Sequence, residues 1–188
     1  MDPYDFVQLA LLAAGGEIKG KTKLQKTMYF LGVITGHLED LGYRPHFYGP
    51  YSEDVADAVD RLVSVGFVDK EIRGGPAVNE FGFEIYQYDF RLNADGKAVA
   101  KAKAARHPKL WKTLSDAAAV LKRAPNLDYV KLSVAAKTYF MLGEKKAPAT
   151  MTELAELAKQ FGWSVTAPQV RDAAKYLGTL GLVDLARN

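Results

Sequence analysis

Apolar residues recur with a helical period along much of the chain. A first helix is predicted over residues 4–14, where apolar side chains gather on one side. A second is predicted over residues 20–34, because Leu24, Met28 and Leu31 fall at i, i+4 and i+7. Each helix must bury one face, so both are expected to belong to a small helical bundle.

The next stretch predicts an extended link, a turn and a third helix. Residues 43–48 are expected to be extended, and Gly49-Pro50 favours a turn. Ser52 suits the N-cap of a helix over residues 52–65, and Gly66 stands where a C-cap glycine belongs. Helix, short link and helix is the order of a helix-turn-helix.

Two extended segments follow this helix. Residues 67–73 predict a strand, and Gly74-Gly75-Pro76 predicts a turn. In the segment 81–92 the alternation of apolar residues changes phase near Ile85-Tyr86, which indicates a bulge or bend. We interpret this hairpin as a wing. Its tip carries Pro76, Asn79 and Glu80 rather than arginines, so a packing or protein contact is favoured over insertion into a DNA groove.

The middle of the chain predicts two further helices. One covers about residues 94–106 behind Asn93 as N-cap, and the other covers 109–123 after the break at His107-Pro108. They are interpreted as a helical connector. By analogy with other proteins of this architecture, such a connector could form a homodimer.

The C-terminal third repeats the first plan. Helices are predicted over 128–142, ended by Gly143, over 150–161 and over 166–180, followed by a strand over 182–185. Thr150 with Glu153, and Thr166 with Gln169, have the spacing of capping boxes. At an offset of 115 residues seven positions are identical over fifteen. They are Val55, Asp57, Ala58, Leu62, Gly66, Val68 and Asp69 against Val170, Asp172, Ala173, Leu177, Gly181, Val183 and Asp184.

The predicted fold is therefore mainly α with small β-hairpin wings, in the α+β class. It consists of two winged-helix or helix-turn-helix-like units joined by a helical connector. Residues 1–106 form the predicted N-terminal domain with its wing. Residues 107–188 form the connector helix and the C-terminal domain.

Two strings in the first third resemble a known family. Lys23-Leu24-Gln25-Lys26 and Phe47-Tyr48-Gly49-Pro50-Tyr51-Ser52, at this separation, resemble the N-terminal part of the YwgA-like family of prokaryotic proteins. The resemblance covers roughly the first 70 residues and implies a winged-helix-like domain. It implies no catalytic or binding residue, because the family is itself poorly characterised.

The formal charge of +3 is unevenly distributed. Residues 1–92 carry a net charge of −5, residues 93–148 carry +8, and residues 149–188 are neutral. The chain has no cysteine, which excludes disulfides and thiolate sites and fits a reducing cytoplasm. No apolar run reaches the ~20 residues of a membrane span, and the acidic start is unlike a signal peptide. A cytoplasmic protein without a membrane partner is expected.

The first functional hypothesis is a DNA-binding transcriptional regulator that contacts double-stranded DNA. The C-terminal unit would reach bases and phosphates, and lysines elsewhere would contact phosphates. The candidate residues are Gln169, Arg171, Lys175, Tyr176 and Thr179, with Lys21, Lys23, Lys26, Lys97 and Lys101. The polar face could equally belong to an ordinary three-helix bundle.

The alternative is a non-catalytic protein-protein interaction module. The outer face of the helix over 52–65 carries Asp54, Asp57, Asp60 and Arg61, and its carboxylates would repel phosphates. These four residues are the candidates for contact with a protein partner.

No pattern typical of an enzyme occurs in the sequence. His37, His46 and His107 lack the spacing of metal ligands, and the paired glycines lack a phosphate-loop pattern. We therefore expect no catalytic residue, no metal and no cofactor.

Overall fold

The computed structural model describes the backbone of residues 1–78 and 84–185, and the side chains of these ranges except 75–78, 84 and 85. The helices are α1 Pro3–Ala14, α2 Lys21–Thr35, α3 Glu53–Ser64, α4 Ala94–Arg106, α5 Pro108–Arg123, α6 Tyr129–Lys145, α7 Met151–Gln160 and α8 Ala167–Thr179. The strands are β1 Glu17–Lys19, β2 Val68–Val78 and β3 Glu84–Leu92, and a short 3-10 helix spans Glu39–Leu41. The chain is mainly helical with a small antiparallel sheet, which confirms the α+β class.

The predicted helix starts agree with the cap hydrogen bonds. The Ser52 hydroxyl accepts from the Val55 backbone N–H, 2.9 Å away, and the Asn93 side chain accepts from that of Gly96 at the same distance. Thr150 and Thr166 form the predicted capping boxes of α7 and α8. These local side chains satisfy N–H groups that the helix itself leaves free.

The sheet has the order β1-β3-β2, and both strand pairs are antiparallel. β1 was not predicted, because three residues are too few to show an alternating pattern. The register between β2 and β3 shifts between Arg73 and Ala77, opposite Gln87 and Ile85. An irregularity opposite Ile85-Tyr86 is thus confirmed, but the extra residues lie on β2, which continues to Val78, so the turn predicted at Gly74-Gly75-Pro76 is wrong. The predicted tip residues Asn79 and Glu80 lie outside the described residues.

Two predicted boundaries in the C-terminal third are wrong. Residues 182–185 form no strand and pair with none of the strands in the described residues, so the strand predicted there is wrong. Gly143 lies inside α6, which continues to Lys145 and ends at Lys146, whose φ is +50°.

Buried apolar side chains form three clusters. The first joins α1, α2, α3 and the sheet to α4 and α5. The second joins Tyr29 and Phe30 of α2 to Leu132 of α6 and Leu177 of α8. The third lies between α6, α7 and α8 around Trp163. Helix α2 therefore contributes side chains to two clusters. The division into domains at residues 1–106 and 107–188 remains a prediction.

None of the described helices has both the length and the apolar character that a membrane crossing requires.

Candidate functional site

A short turn precedes α3 and projects two aromatic side chains into solvent. Arg44 and Tyr51 exchange two backbone hydrogen bonds of 2.9 Å, and the Gly49 N–H donates to the His46 carbonyl over 2.8 Å. We call residues 44–51 the aromatic turn. At its tip Phe47 is 73% exposed and Tyr48 is 57% exposed. Their rings meet edge to face with centroids 5.2 Å apart.

Gln25 of α2 fixes the end of the aromatic turn to the start of α3. Its Oε1 accepts from the Ser52 backbone N–H over 3.1 Å, and its Nε2 donates to the Ser52 carbonyl over 2.9 Å. The Ser52 hydroxyl in turn donates to the Leu41 carbonyl over 2.5 Å. One buried amide thus satisfies both backbone groups of the α3 N-cap residue.

Lys26 bonds the same turn near its C-terminal end. Its side chain is only 1% exposed, and its Nζ donates to the Pro50 carbonyl over 2.5 Å. Burial, together with repulsion from Lys137, lowers the pKa of Lys26 to about 7. The prediction that Lys26 contacts DNA is therefore wrong, because its ammonium group lies inside the protein.

Trp163 supports the turn from the C-terminal third. Its Nε1 donates to the His46 carbonyl over 2.7 Å, and its ring stacks on Phe161 with centroids 4.9 Å apart. Trp163 is not among the residues that the sequence pattern singled out. A tryptophan in an otherwise apolar helical unit is a signal for burial, and a buried indole N–H requires an acceptor.

The acidic face of α3 adjoins the aromatic turn. Asp54 and Asp57 are exposed, while Asp60 forms an ion pair of 3.0 Å with Lys70. Arg61 is also exposed and lies over the Tyr4 ring, 5.2 Å from its centroid. The four candidates for a protein contact are thus all on the surface. Burial raises the pKa of Tyr51, and the negative charges of Glu53, Asp60 and Asp57 raise it further.

A hollow of about 290 Å³ lies between α2, α3 and the aromatic turn. Leu24, Val59 and Phe90 provide apolar surface, Tyr48 and Tyr51 line it from the turn, and Lys21, Asp60 and Lys70 bring charge. Lys21 and Lys70 both lie over the Tyr88 ring, 4.6 and 5.2 Å from its centroid. Tyr48 and Tyr51 of the turn and Asp60 of the acidic face meet at this hollow, and the three features together are the candidate surface.

The structure separates the DNA candidates on α8 into three groups. Tyr176 is 7% exposed and packs edge to face on Phe30, so its predicted DNA contact is wrong. The Gln169 side chain accepts from the Thr166 backbone N–H over 2.9 Å as part of the capping box. Arg171, Lys175 and Thr179 are exposed at i, i+4 and i+8, and Lys175 lies 3.7 Å from Asp172.

The remaining lysines that were predicted to contact DNA lie on α2 and α4 rather than on α8. The Lys23 Nζ donates to Asn126 Oδ1 over 3.1 Å, and Lys21 lies over Tyr88. Lys97 and Lys101 are exposed on α4, which packs against α1, α5 and β3.

Within the described residues no group of three or more histidine and carboxylate side chains could hold a metal ion. The expectation of a non-catalytic protein stays a prediction.

Comparison with known proteins gives a family-level resemblance. No family model matches the chain. The uncharacterized protein YwgA of Bacillus subtilis (strain 168) is 33% identical over 92 residues, which cover 48% of this chain and 49% of that protein. The chain thus spans about half the length of the curated relative that it matches. The resemblance to YwgA was predicted for roughly 70 residues, and the matched length is greater.

Proposed function

We propose that this protein is a non-catalytic protein-interaction module built on winged-helix-like units. It docks a partner through the aromatic turn and the acidic face of α3. The observation that carries the proposal is the exposed Phe47-Tyr48 pair on a turn held by Gln25, Lys26 and Trp163.

The order of elements supports a winged-helix interpretation of the N-terminal part. Helix, short strand, two helices and a hairpin follow one another, and β3 lies between β1 and β2. In this arrangement α3 stands where a recognition helix would stand, and the β2–β3 hairpin is the wing. The exposed carboxylates of α3 disfavour contact with DNA phosphates and favour a partner with basic groups.

The aromatic turn has the physical properties of an interaction hot spot. Tyrosine and other large aromatic side chains dominate binding energies at interfaces, because they bury much apolar area with few rotatable bonds. Lys26 and Trp163 each donate a hydrogen bond to the turn, and Gln25 forms two with the adjoining Ser52, so little backbone ordering remains to oppose binding. A cytoplasmic location belongs to the same proposal, because a chain without cysteine suits a reducing compartment.

Replacing both Phe47 and Tyr48 by alanine is expected to abolish partner capture. The loss of two anchors should weaken binding by at least about 30-fold. A photo-crosslinking residue placed beside the turn, at Pro45, would capture the partner from a lysate for identification. The affinity of the purified partner would then be measured by titration.

Tyr129→Ala is the matched control, because Tyr129 is 58% exposed on α6. It should bind as the unchanged protein does. Asp57→Lys with Asp60→Lys should also prevent capture, since both carboxylates belong to the acidic face of α3 that would meet the partner. A partner that binds all these variants equally would contradict the proposal.

A second candidate function is a DNA-binding transcriptional regulator. Its support is the exposed row of Arg171, Lys175 and Thr179 on α8, the second helix of the α7–α8 pair. A homodimer would present two such helices to successive grooves of double-stranded DNA.

Changing Arg171 and Lys175 to glutamate is expected to weaken DNA binding more than tenfold and to reduce its dependence on salt. Mobility-shift titration against genomic fragments at several salt concentrations measures both effects. Lys112→Glu with Lys131→Glu removes the same number of exposed positive charges elsewhere. Absence of a shift at low salt would remove this candidate and leave the interaction module unaffected.

A further inference from the structure

A second and larger hollow lies on another side of α2. It has a volume of about 530 Å³ and opens between α2, α5 and residues 124–127, which lead into α6. Its apolar surface comes from Phe30, Leu31, Leu121, Leu127 and Leu132. A volume of this size, set between helices and lined mainly by apolar groups, is typical of a small-molecule site.

Three lysines stand around this apolar surface. Lys19, Lys23 and Lys122 all line the hollow, and Glu17 is the carboxylate that lines it with them. Among the described residues, no carboxylate oxygen lies within 4 Å of any of the three ammonium groups. The charge around the hollow is therefore positive and is not neutralised by ion pairs.

The hydrogen bonds of two of these lysines leave capacity for a ligand. The Lys23 Nζ donates to Asn126 Oδ1 over 3.1 Å, and the Lys122 Nζ donates to the Ala13 carbonyl over 3.1 Å. An ammonium group carries three N–H donors, so each lysine can also donate to a bound anion. The contact of Lys23 with Asn126 crosses from α2 to the segment before α6, which fixes one side of the hollow.

We propose that this hollow binds an amphiphilic anion, a small molecule with an apolar chain and a carboxylate or phosphate head. The chain would replace water on the surface of Phe30, Leu121 and Leu132, and the head would lie among Lys19, Lys23 and Lys122. An apolar body alone would leave the three ammonium groups without a counter-charge. A small inorganic anion alone would leave the apolar surface wet, so the combination fits this site best.

The site is separate from the candidate surface at the aromatic turn. It shares α2 with that surface but none of its lining residues. Because its walls include Phe30 and Tyr176, a bound ligand would contact the cluster that joins α2 to α6 and α8. The proposal does not depend on which macromolecule the protein binds.

Titration calorimetry with dodecanoate and with dodecyl phosphate, both below the concentrations at which they form micelles, tests the proposal. Saturable binding of one molecule per chain is expected for at least one of the two anions. Dodecyltrimethylammonium, with the same chain and a positive head, should bind at least about tenfold more weakly. Equal binding of the cation would overturn the proposal, because it would show that the head group is not recognised.

Two sets of variants locate the bound anion. Lys19→Gln, Lys23→Gln and Lys122→Gln combined should weaken binding at least about tenfold. Lys101→Gln, Lys109→Gln and Lys112→Gln combined remove the same charge elsewhere and should change affinity less than about twofold. Circular dichroism establishes that both proteins remain folded.

A third change fills the hollow without altering its charge. Thr27 lines the hollow and is half-buried, so Thr27→Phe should reduce the affinity for the anion. Equal weakening by the two lysine sets, or no effect of Thr27→Phe, would place the anion elsewhere and overturn the proposal. Sedimentation with phosphatidylglycerol vesicles shows whether the protein binds the anion as part of a lipid membrane or as a free molecule. Binding to vesicles without binding of either dodecyl anion would also overturn it.

Discussion

Replacing Trp163 by alanine is expected to lower the free energy of unfolding by about 3 to 5 kcal/mol. Its side chain is 2% exposed, stacks on Phe161 and meets Phe140 edge to face with centroids 5.9 Å apart. The change would leave a cavity between α6, α7 and α8, and it would remove the donor to the His46 carbonyl. Urea denaturation followed by circular dichroism at 222 nm, a far-ultraviolet helix signal, measures the loss.

The same substitution should loosen the aromatic turn. Trp163→Phe keeps one six-membered aromatic ring but removes the five-membered part of the indole with its N–H, so a smaller loss of about 2 kcal/mol is expected. Hydrogen exchange over residues 44–51 should become faster in both variants. Trp111→Ala is the control, because Trp111 lies half-buried on α5, away from the turn. Unchanged exchange over residues 44–51 in both Trp163 variants would show that Trp163 does not support the turn.

The helices could be predicted from the sequence because their signals are local. Ser52, Asn93, Thr150 and Thr166 each lie within three residues of the N–H that they cap. The apolar period then identifies the buried face without knowledge of what covers it. Such contacts need no information from distant parts of the chain, which explains why the starts of α3, α4, α7 and α8 were predicted correctly.

The site could be predicted only in part, because burial depends on distant elements. Lys26 and Tyr176 are typical surface residues by type, yet the aromatic turn covers the first and α2 covers the second. For Gln169, by contrast, the sequence alone already argued against the predicted contact with a DNA base. The capping box that identified α8 already requires Gln169 Oε1, so this amide could not make a bidentate contact with adenine at the same time.

The two strings that resemble the YwgA-like family prove to be the two sides of one contact. Gln25 and Lys26 belong to the first string, and their side chains bond the backbone of Ser52 and Pro50 in the second. The separation of the strings therefore reflects a structural requirement, namely the length of chain needed to return to α2. This explains how the resemblance can be specific and still carry no chemistry.

The buried Lys26 should make the stability of the protein depend on pH, and the Lys26→Met variant should lack this dependence. Burial lowers the pKa of Lys26 from its ordinary value of 10.5 to about 7 in the folded protein. Between these two values the unfolded chain binds a proton that the folded protein does not bind, so stability rises with pH. The contribution is greatest above the unfolded pKa and is lost as pH falls towards 7. Over pH 7 to 9 the change amounts to about 2 kcal/mol.

Lys26→Met removes this proton but also leaves the buried Pro50 carbonyl without its donor. The lost hydrogen bond is a constant cost, so the stability of the variant relative to the unchanged protein should fall by about 2 kcal/mol between pH 7 and pH 9. Urea denaturation at intervals of half a pH unit measures the difference. Lys101→Met, on the exposed side of α4, controls for the loss of one lysine and should give a constant offset.

The pH series should end near pH 9, because buried tyrosines lower the stability of the protein at higher pH. Burial raises the pKa of Tyr29 and of Tyr43, so above about pH 10 the unfolded chain loses protons that the folded protein retains, and stability falls. Both tyrosines remain in Lys26→Met, so their effect cancels in the difference between the two proteins. A difference that stays constant from pH 7 to 9 would mean that the Lys26 ammonium remains charged when buried. The hydrogen bond to Pro50 would then hold the aromatic turn equally at every pH in this range.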